Sequence, residues 1–289
     1  MNRVPEAPQP LGGKFWRLFT SSGISNLADG IAIGAVPLLA ATMTRDPVVI
    51  SGLVTLQFLP WLLFAALAGA LVDRWDRKVT MAATNLVRAS LFATVALLVI
   101  LGRANLTVLY VGAFLLGTAE TVYDSAARAL LPQVVSRANL ERGNALLFTV
   151  ESVGNRFAGA PLGAWLFVFA AALPLWVDSA AYVLAALVIL TLSGRYRPER
   201  TETTTLSADL REGLGWLRRH SMLFPLMLTT GGEVIAYSMT SGVFVLYALD
   251  SLGLPETGYG LLLATGGFAA IVGSLISPWL VDRLSRTVA

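Results

Sequence analysis

The chain has 289 residues, of which 55% are hydrophobic and only 13% charged, with a formal net charge of +3. Soluble domains carry about 25% charged residues, so a water-soluble domain is excluded, and cations confined to short loops are no nucleic-acid footprint. With no cysteine and one histidine, His220, thiolate chemistry, disulfides and nearly all transition-metal sites are excluded as well.

Eight apolar runs are each long enough to cross a hydrocarbon core of ~30 Å, which takes roughly 20 helical residues. They cover about Phe15–Met43, Val48–Val72, Val79–Leu101, Leu106–Leu131, Asn144–Ala171, Leu173–Leu192, Met222–Leu249 and Gly258–Val281. Met1–Leu11 is polar and Pro-rich, so no cleavable signal peptide is read there. The pattern is that of an all-α integral membrane protein, multi-pass in the cell's cytoplasmic membrane, with the lipid bilayer as its first partner. With the N-terminus placed in the cytoplasm, nearly all loop Lys and Arg fall on that side, and only Arg45 and Arg103 fall on the other.

In span one, Asn26 and Asp29 lie near the midplane beside Gly30. An ionisable group inside a span costs about 2.5–3.5 kcal/mol, so Asp29 marks a functional site unless a neighbouring helix satisfies it. Between spans two and three, Gly69-Ala-Leu-Val-Asp73-Arg74-Trp-Asp-Arg77-Lys78 is a tight turn of three cations and two acids. It must sit at a membrane surface, and Gly69 is expected to let two helix backbones approach closely. Arg88, inside span three, is expected to snorkel to the cytoplasm or to pair with Asp73.

Glu120, Tyr123, Asp124 and Arg128 share one face of span four. Asp124 is within reach of Arg77 or of its own i+4 partner, Arg128. Glu120, deeper on that face, could touch a cationic substrate or exchange a proton. Span five carries Gly154, Asn155, Arg156, Gly159, Pro161 and Gly163. The glycines allow close packing and Pro161 bends or softens the helix. Arg156 needs a partner, and Glu120 across the helices suits it better than Glu151 on its own helix. Asp178, in span six, reads as a structural hydrogen-bond acceptor near the outer interface.

Ser193–Ser221 is the one real linker, with Leu206–His220 read as an amphipathic helix lying on the membrane surface. Span seven then carries Glu233 after Gly231-Gly232, at a depth like that of Asp29, where a protonated carboxyl would suit proton coupling. Span eight ends in Val281-Asp282-Arg283-Leu-Ser-Arg286, echoing Val72-Asp73-Arg74-Trp-Asp-Arg77, so spans seven and eight repeat spans one and two. The organisation expected is a six-helix bundle over 1–193, a linker over 194–221, and the first two helices of a second bundle over 222–289.

The turn Gly-x-x-x-Asp-Arg-x-x-Arg-Lys after two spans resembles the signature loop of the major facilitator superfamily, with Asp76 where a glycine is usual. Asn26-Leu-Ala-Asp29-Gly30, Glu120 with Leu130-Leu-Pro132, Gly159-Ala-Pro161-Leu-Gly163 and Leu210–His220 resemble its exporter branch of enterobactin-type siderophore exporters and macrolide efflux proteins. The resemblance implies a major-facilitator-type helical bundle and proton-coupled efflux of a small molecule by alternating access. It makes span one a cavity-lining helix. Asp29, Asn26, Glu120, Arg156 and Glu233 become the substrate and proton site. Gly69, Asp73, Arg74, Arg77, Lys78 and Asp124 become the cytoplasmic gate, closed by Arg77 with Asp124.

Relative to that family the chain is expected to be truncated after its eighth span. The alternative reading is therefore a non-transporting membrane scaffold or interaction protein. No nucleotide-binding, metalloprotease or Ser/His/Asp pattern is present, so neither an enzyme nor a cofactor is expected. Oligomeric state is left open.

Overall fold

The computed structural model describes residues 10–197, 213 and 215–288. Among these the chain is helical with no strand. Helices α1 (Gly13–Met43), α2 (Pro47–Val72), α3 (Arg77–Ile100) and α4 (Leu106–Val134) are joined by short turns. A 3₁₀ turn at Arg137–Asn139 leads into α5 (Leu140–Ser152), a π-helical segment (Val153–Gly159) and α6 (Ala160–Phe169), which run on as one rod. Then come α7 (Leu173–Leu190), α8 (Leu223–Leu246) with a π-helical end at Tyr247–Ser251, and α9 (Glu256–Val288).

Among the described residues, α1 to α4, α7 and α8 with its π-helical end are each long and apolar enough to cross a membrane. The α5–α6 rod and α9, of 33 residues, account for the other two apolar runs. Residues 198–212 and 214, which hold most of the linker and the start of its amphipathic helix, lie outside the described residues, as do the side chains of Asp282 and Arg283. Residues 215–219 are helical.

The helix boundaries follow local chemistry. Asp46 caps α2 by accepting from the Val48 N–H at 2.8 Å, with Pro47 at the first helical position. Gly102, at φ +64°, ends α3, and Asn105 caps α4 through the Val108 N–H at 3.0 Å. The π-helical segment has a cause in Pro161, which lacks an N–H and would drive its ring into the carbonyl four residues back, at Phe157. Widening the turn there relieves both problems.

α1 is the hub, packed against α4, α5, α6, α7 and the π-helical segment. Its contact with the α5–α6 rod is made by glycines on both sides. A methyl group at Gly30 would run into the carbonyls of Gly154 and Asn155, one at Gly34 into the Ala160 backbone, one at Gly159 into Gly30, and one at Gly163 into the Ile31 backbone. α4 meets α2 the same way, with Gly117 against the Gln57 carbonyl. The close approach expected at Gly69 is not made: a side chain there would meet open space, because α2 turns the neighbouring Ala68 inward instead.

Two apolar clusters fill the bundle. One holds Phe15 and Leu18 of α1, Met81 of α3, Leu130 of α4 and Ile189 of α7; the other holds Ala35 and Leu38 of α1, Phe92 of α3, Leu109 of α4 and Leu175 of α7. On α1 and α3 the residues between the clusters are polar: Ser21, Ser25, Asn85 and Arg88. The bundle thus has a buried polar layer at mid-depth.

Gly163→Ala, which pushes a methyl group into the facing backbone of α1, is expected to lower stability by about 1–3 kcal/mol, the usual cost of overpacking. Gly69→Ala should leave stability unchanged. Thermal unfolding of both variants in the same detergent micelle tests the difference, and equal melting temperatures would contradict the described contact.

Candidate functional site

Three helices each supply a polar pair one turn apart to the mid-depth layer: Ser25 and Asp29 from α1, Asn85 and Arg88 from α3, Asp178 and Tyr182 from α7. Such spacing puts both members of a pair on one helix face. Arg88 is the centre. It is only 2% exposed, and its guanidinium forms an ion pair with the Asp29 carboxylate. It also donates to the Tyr182 hydroxyl at 2.9 Å and to Ser25 Oγ at 3.2 Å. Tyr182 in turn donates to Asp29 Oδ1 at 2.6 Å, and Ser25 to Asn85 Oδ1 at 3.2 Å.

Aromatic faces complete the shell. The Arg88 guanidinium lies 4.2 Å from the Tyr182 ring centre and 5.6 Å from that of Tyr123, and Phe92 stacks on Tyr182 at 5.7 Å. A cation between π faces in a dry site is held by the ring quadrupoles as well as by its counter-ion.

A cavity opens beside the pair. Asp29, Arg88, Tyr182, Glu120 and Gln57 give it polar groups, and Val36, Leu39, Phe92 and Leu116 are among its apolar walls. Asp29 keeps 12% of its side chain exposed toward this space while Arg88 keeps almost none. The arrangement can present a carboxylate to a charged or polar guest, and Glu120 across the cavity offers a second.

Several expectations need correction. Arg88 neither snorkels to the surface nor pairs with Asp73; the nearest acid in the bundle interior, Asp29, takes it. Arg156 and Glu120 are not brought together. The π-helical segment shifts the register of span five and leaves Arg156 exposed, with its backbone against Gly267 of α9. Asp124 pairs with Arg128 at 3.9 Å, one turn along α4, and Arg77 pairs with Asp73 at 3.5 Å across its own turn, so the Arg77–Asp124 contact is not formed. Asn26 donates to the Ser22 carbonyl at 2.8 Å and packs at Gly154 rather than joining Asp29. Glu233 lies on an exposed face of α8 and does not line the cavity.

Asp178 is fully buried, yet neither of its oxygens has a hydrogen-bond partner. Ser25, Asn85, Gln57 and Tyr182 were not singled out from the sequence. The signal that could have found most of them is the repeated pairing of polar residues three or four apart inside spans.

The charged turn is organised by Asp76. Its Oδ1 accepts from the N–H groups of Lys78 at 3.0 Å and Val79 at 3.3 Å, capping α3, and its Oδ2 accepts from Tyr196 N–H at 2.9 Å. Arg77 N–H donates to the Tyr196 carbonyl at 3.3 Å. Lys78 Nζ donates to the carbonyls of Leu192 at 3.1 Å and Gly194 at 3.2 Å, and Arg17 to that of Thr191 at 3.0 Å. The carbonyls that end α7 are therefore satisfied by cations from α1 and α3.

The sequence model of the Major Facilitator Superfamily matches residues 18–289. The chain belongs to that superfamily. Uncharacterized MFS-type transporters of Mycobacterium bovis and Mycobacterium tuberculosis are each 30% identical to it over 299 aligned residues, which cover 94% of this chain and 66% of theirs. Macrolide efflux protein A of Streptococcus pyogenes is 20% identical over 239 residues, covering 82% of this chain and 59% of its own. The chain spans about two thirds or less of the length of these relatives. As a superfamily member it is a multi-pass helical membrane protein, in keeping with its membrane-length helices.

Arg88→Gln leaves the Asp29 carboxylate in the bundle without its counter-ion and is expected to cost about 3–5 kcal/mol. The double variant Asp29→Asn/Arg88→Gln, which removes both charges, should recover much of that loss. Unfolding of the parent, both single variants and the double variant in detergent closes the cycle, and additive losses would show that the two groups do not interact.

Proposed function

We propose that this chain works as part of a secondary active transporter that exports a small molecule by alternating access, coupled to protons, with its N-terminus in the cytoplasm. The observation that carries the proposal is the Asp29–Arg88–Tyr182 cluster on the wall of a cavity inside membrane-length helices. A charged group placed there costs insertion energy, and it is retained where a pathway uses it. Membership of the superfamily points to transport rather than catalysis, and the relative named for macrolide efflux supports the outward direction.

In this reading Asp29 is the primary site for substrate or proton, and Glu120 faces it across the cavity. The Asp73–Lys78 turn closes the cytoplasmic side, with Arg77 held by Asp73 and Asp124 by Arg128 in the described arrangement. Residues 1–193 form one moving bundle, 194–221 the linker, and 222–289 the start of a second bundle, with Glu233 a site of that second part. The partners are the lipid bilayer, a small-molecule substrate and protons.

The test is accumulation of a panel of small molecules, macrolides among them, in cells lacking other pumps. Cells making the parent should hold less of at least one compound than vector controls, and a protonophore should abolish the difference. Asp29→Asn should return accumulation to the vector level. Unchanged efflux in Asp29→Asn and in Glu233→Gln would remove the site assignment. No difference between parent and vector for any compound would remove transport and favour a scaffold.

Orientation has its own test, made simple by the absence of cysteine. Ser136→Cys should be shielded from an impermeant maleimide in intact cells and Gly102→Cys should react; the reverse pattern would invert the topology.

A further inference from the structure

The cluster around Arg88 contains more acid than base. Asp29 on α1 and Asp178 on α7 belong to helices packed against one another, and Arg88 of α3 reaches α7 at Tyr182, one turn from Asp178. The two carboxyls are treated very differently. Asp29 accepts from both Arg88 and Tyr182, whereas Asp178, fully buried, has no donor on either oxygen. Its own helix places Leu175 and Tyr182 one turn to either side, and both line the cavity.

An ionised carboxylate without hydrogen bonds in an apolar bundle has no compensation for lost hydration, while a protonated one is tolerated. One guanidinium, moreover, carries a single positive charge and so neutralises one carboxylate at a time. We propose that Asp178 carries the exchangeable proton of this cluster, and that Arg88, held by Asp29 while Asp178 is protonated, passes to Asp178 when that proton leaves.

The O–H bond of Asp178 breaks and its proton passes to Asp29, which loses the guanidinium and lines the cavity; the guanidinium keeps its charge, and its pair with Asp29 is exchanged for a pair with Asp178. Because Asp29 is on α1, Arg88 on α3 and Asp178 on α7, the exchange moves the guanidinium from α1 to α7, the helix against which both α1 and α3 pack. The charged and titratable groups of this cluster are Arg88 from α3 and Tyr182 from the helix of Asp178 itself, Asp29 from α1 bonded to both, Tyr123 of α4 with its ring centre 5.6 Å from the guanidinium, and Glu120 of α4 lining the same cavity as Asp29, Arg88 and Tyr182. Asn85 Nδ2, buried and also without an acceptor, leaves the layer room to rearrange. The proposal rests on the proton-coupled reading above for its use in transport, but not for the chemistry of the site.

Dicyclohexylcarbodiimide, an apolar reagent that adds to protonated carboxyls, tests it on the full chain in native membranes, with the adducts mapped by mass spectrometry. The expected result is an adduct on Asp178 and none on Asp29, with labelling that falls as pH is raised and disappears in Asp178→Asn. In Arg88→Gln, where Asp29 loses its guanidinium, a second adduct should appear on Asp29. An adduct on Asp29 but not on Asp178 in the parent, no adduct on Asp178 at any pH, or labelling indifferent to pH would overturn the proposal. Labelling reads no transport, so a missing efflux phenotype and a missing adduct fail separately.

Discussion

The ion pair between Arg88 and Asp29 is the constraint around which this bundle is arranged. Either charge alone would be costly in a membrane, about 2.5–3.5 kcal/mol at the centre of a span on insertion scales. Together, with Tyr182 bonded to both and two aromatic faces over the guanidinium, they form a site whose hydrogen-bonding demands are largely met inside the protein. The requirement fixes which faces of α1, α3 and α7 must meet. It also explains why the polar residues of those helices fall at one depth, between two apolar clusters.

Bringing the helices close enough for such a site depends on small residues. In lipid there is little hydrophobic drive between helices, so contact must come from backbone approach and dispersion. Gly30 and Gly34 of α1 face Gly154, Ala160 and Gly163 across a gap that has no space for a methyl group. The π-helical segment is part of the same solution. It absorbs Pro161, and it turns Arg156 out of the core toward α9, leaving the cavity wall opposite Asp29 to Glu120 and Gln57.

The surface turn at Asp73–Lys78 does a second job besides joining α2 to α3. Through Asp76, Arg77 and Lys78 it grips the chain as it leaves α7, and Arg17 adds a grip from α1. Aspartate in place of the usual glycine is what permits this: at φ −70° the position needs no left-handed freedom, and one carboxylate caps α3 with one oxygen while holding Tyr196 with the other. At the opposite end, Ser51 donates to the Met239 carbonyl at 3.1 Å and Arg45 pairs with Asp250 at 3.0 Å, so α8 is fastened to the earlier helices near the turn that joins α1 to α2. The exposed ion pair there contributes little energy; it serves register more than stability.

Much of the fold was legible without coordinates. Apolar runs of membrane length, a charged turn after the second and a near-absence of other charge determine a helical membrane bundle and its family, because backbone groups in lipid have to be satisfied within each helix. The candidate acids Asp29 and Glu120 were legible too, since charge inside a span is conspicuous. What only the tertiary structure decided is who pairs with whom. Arg88, Tyr182 and Ser25 lie 59 to 153 residues away from their partners in the chain, and the sequence offered instead Arg77 as the partner of Asp124 and Arg156 as the partner of Glu120. A single register change at the π-helical segment, and the i+4 neighbour available to Asp124, redirected those two. Helix faces are written in the sequence, but the rotation that sets one face against another is decided by how closely glycines let the backbones meet.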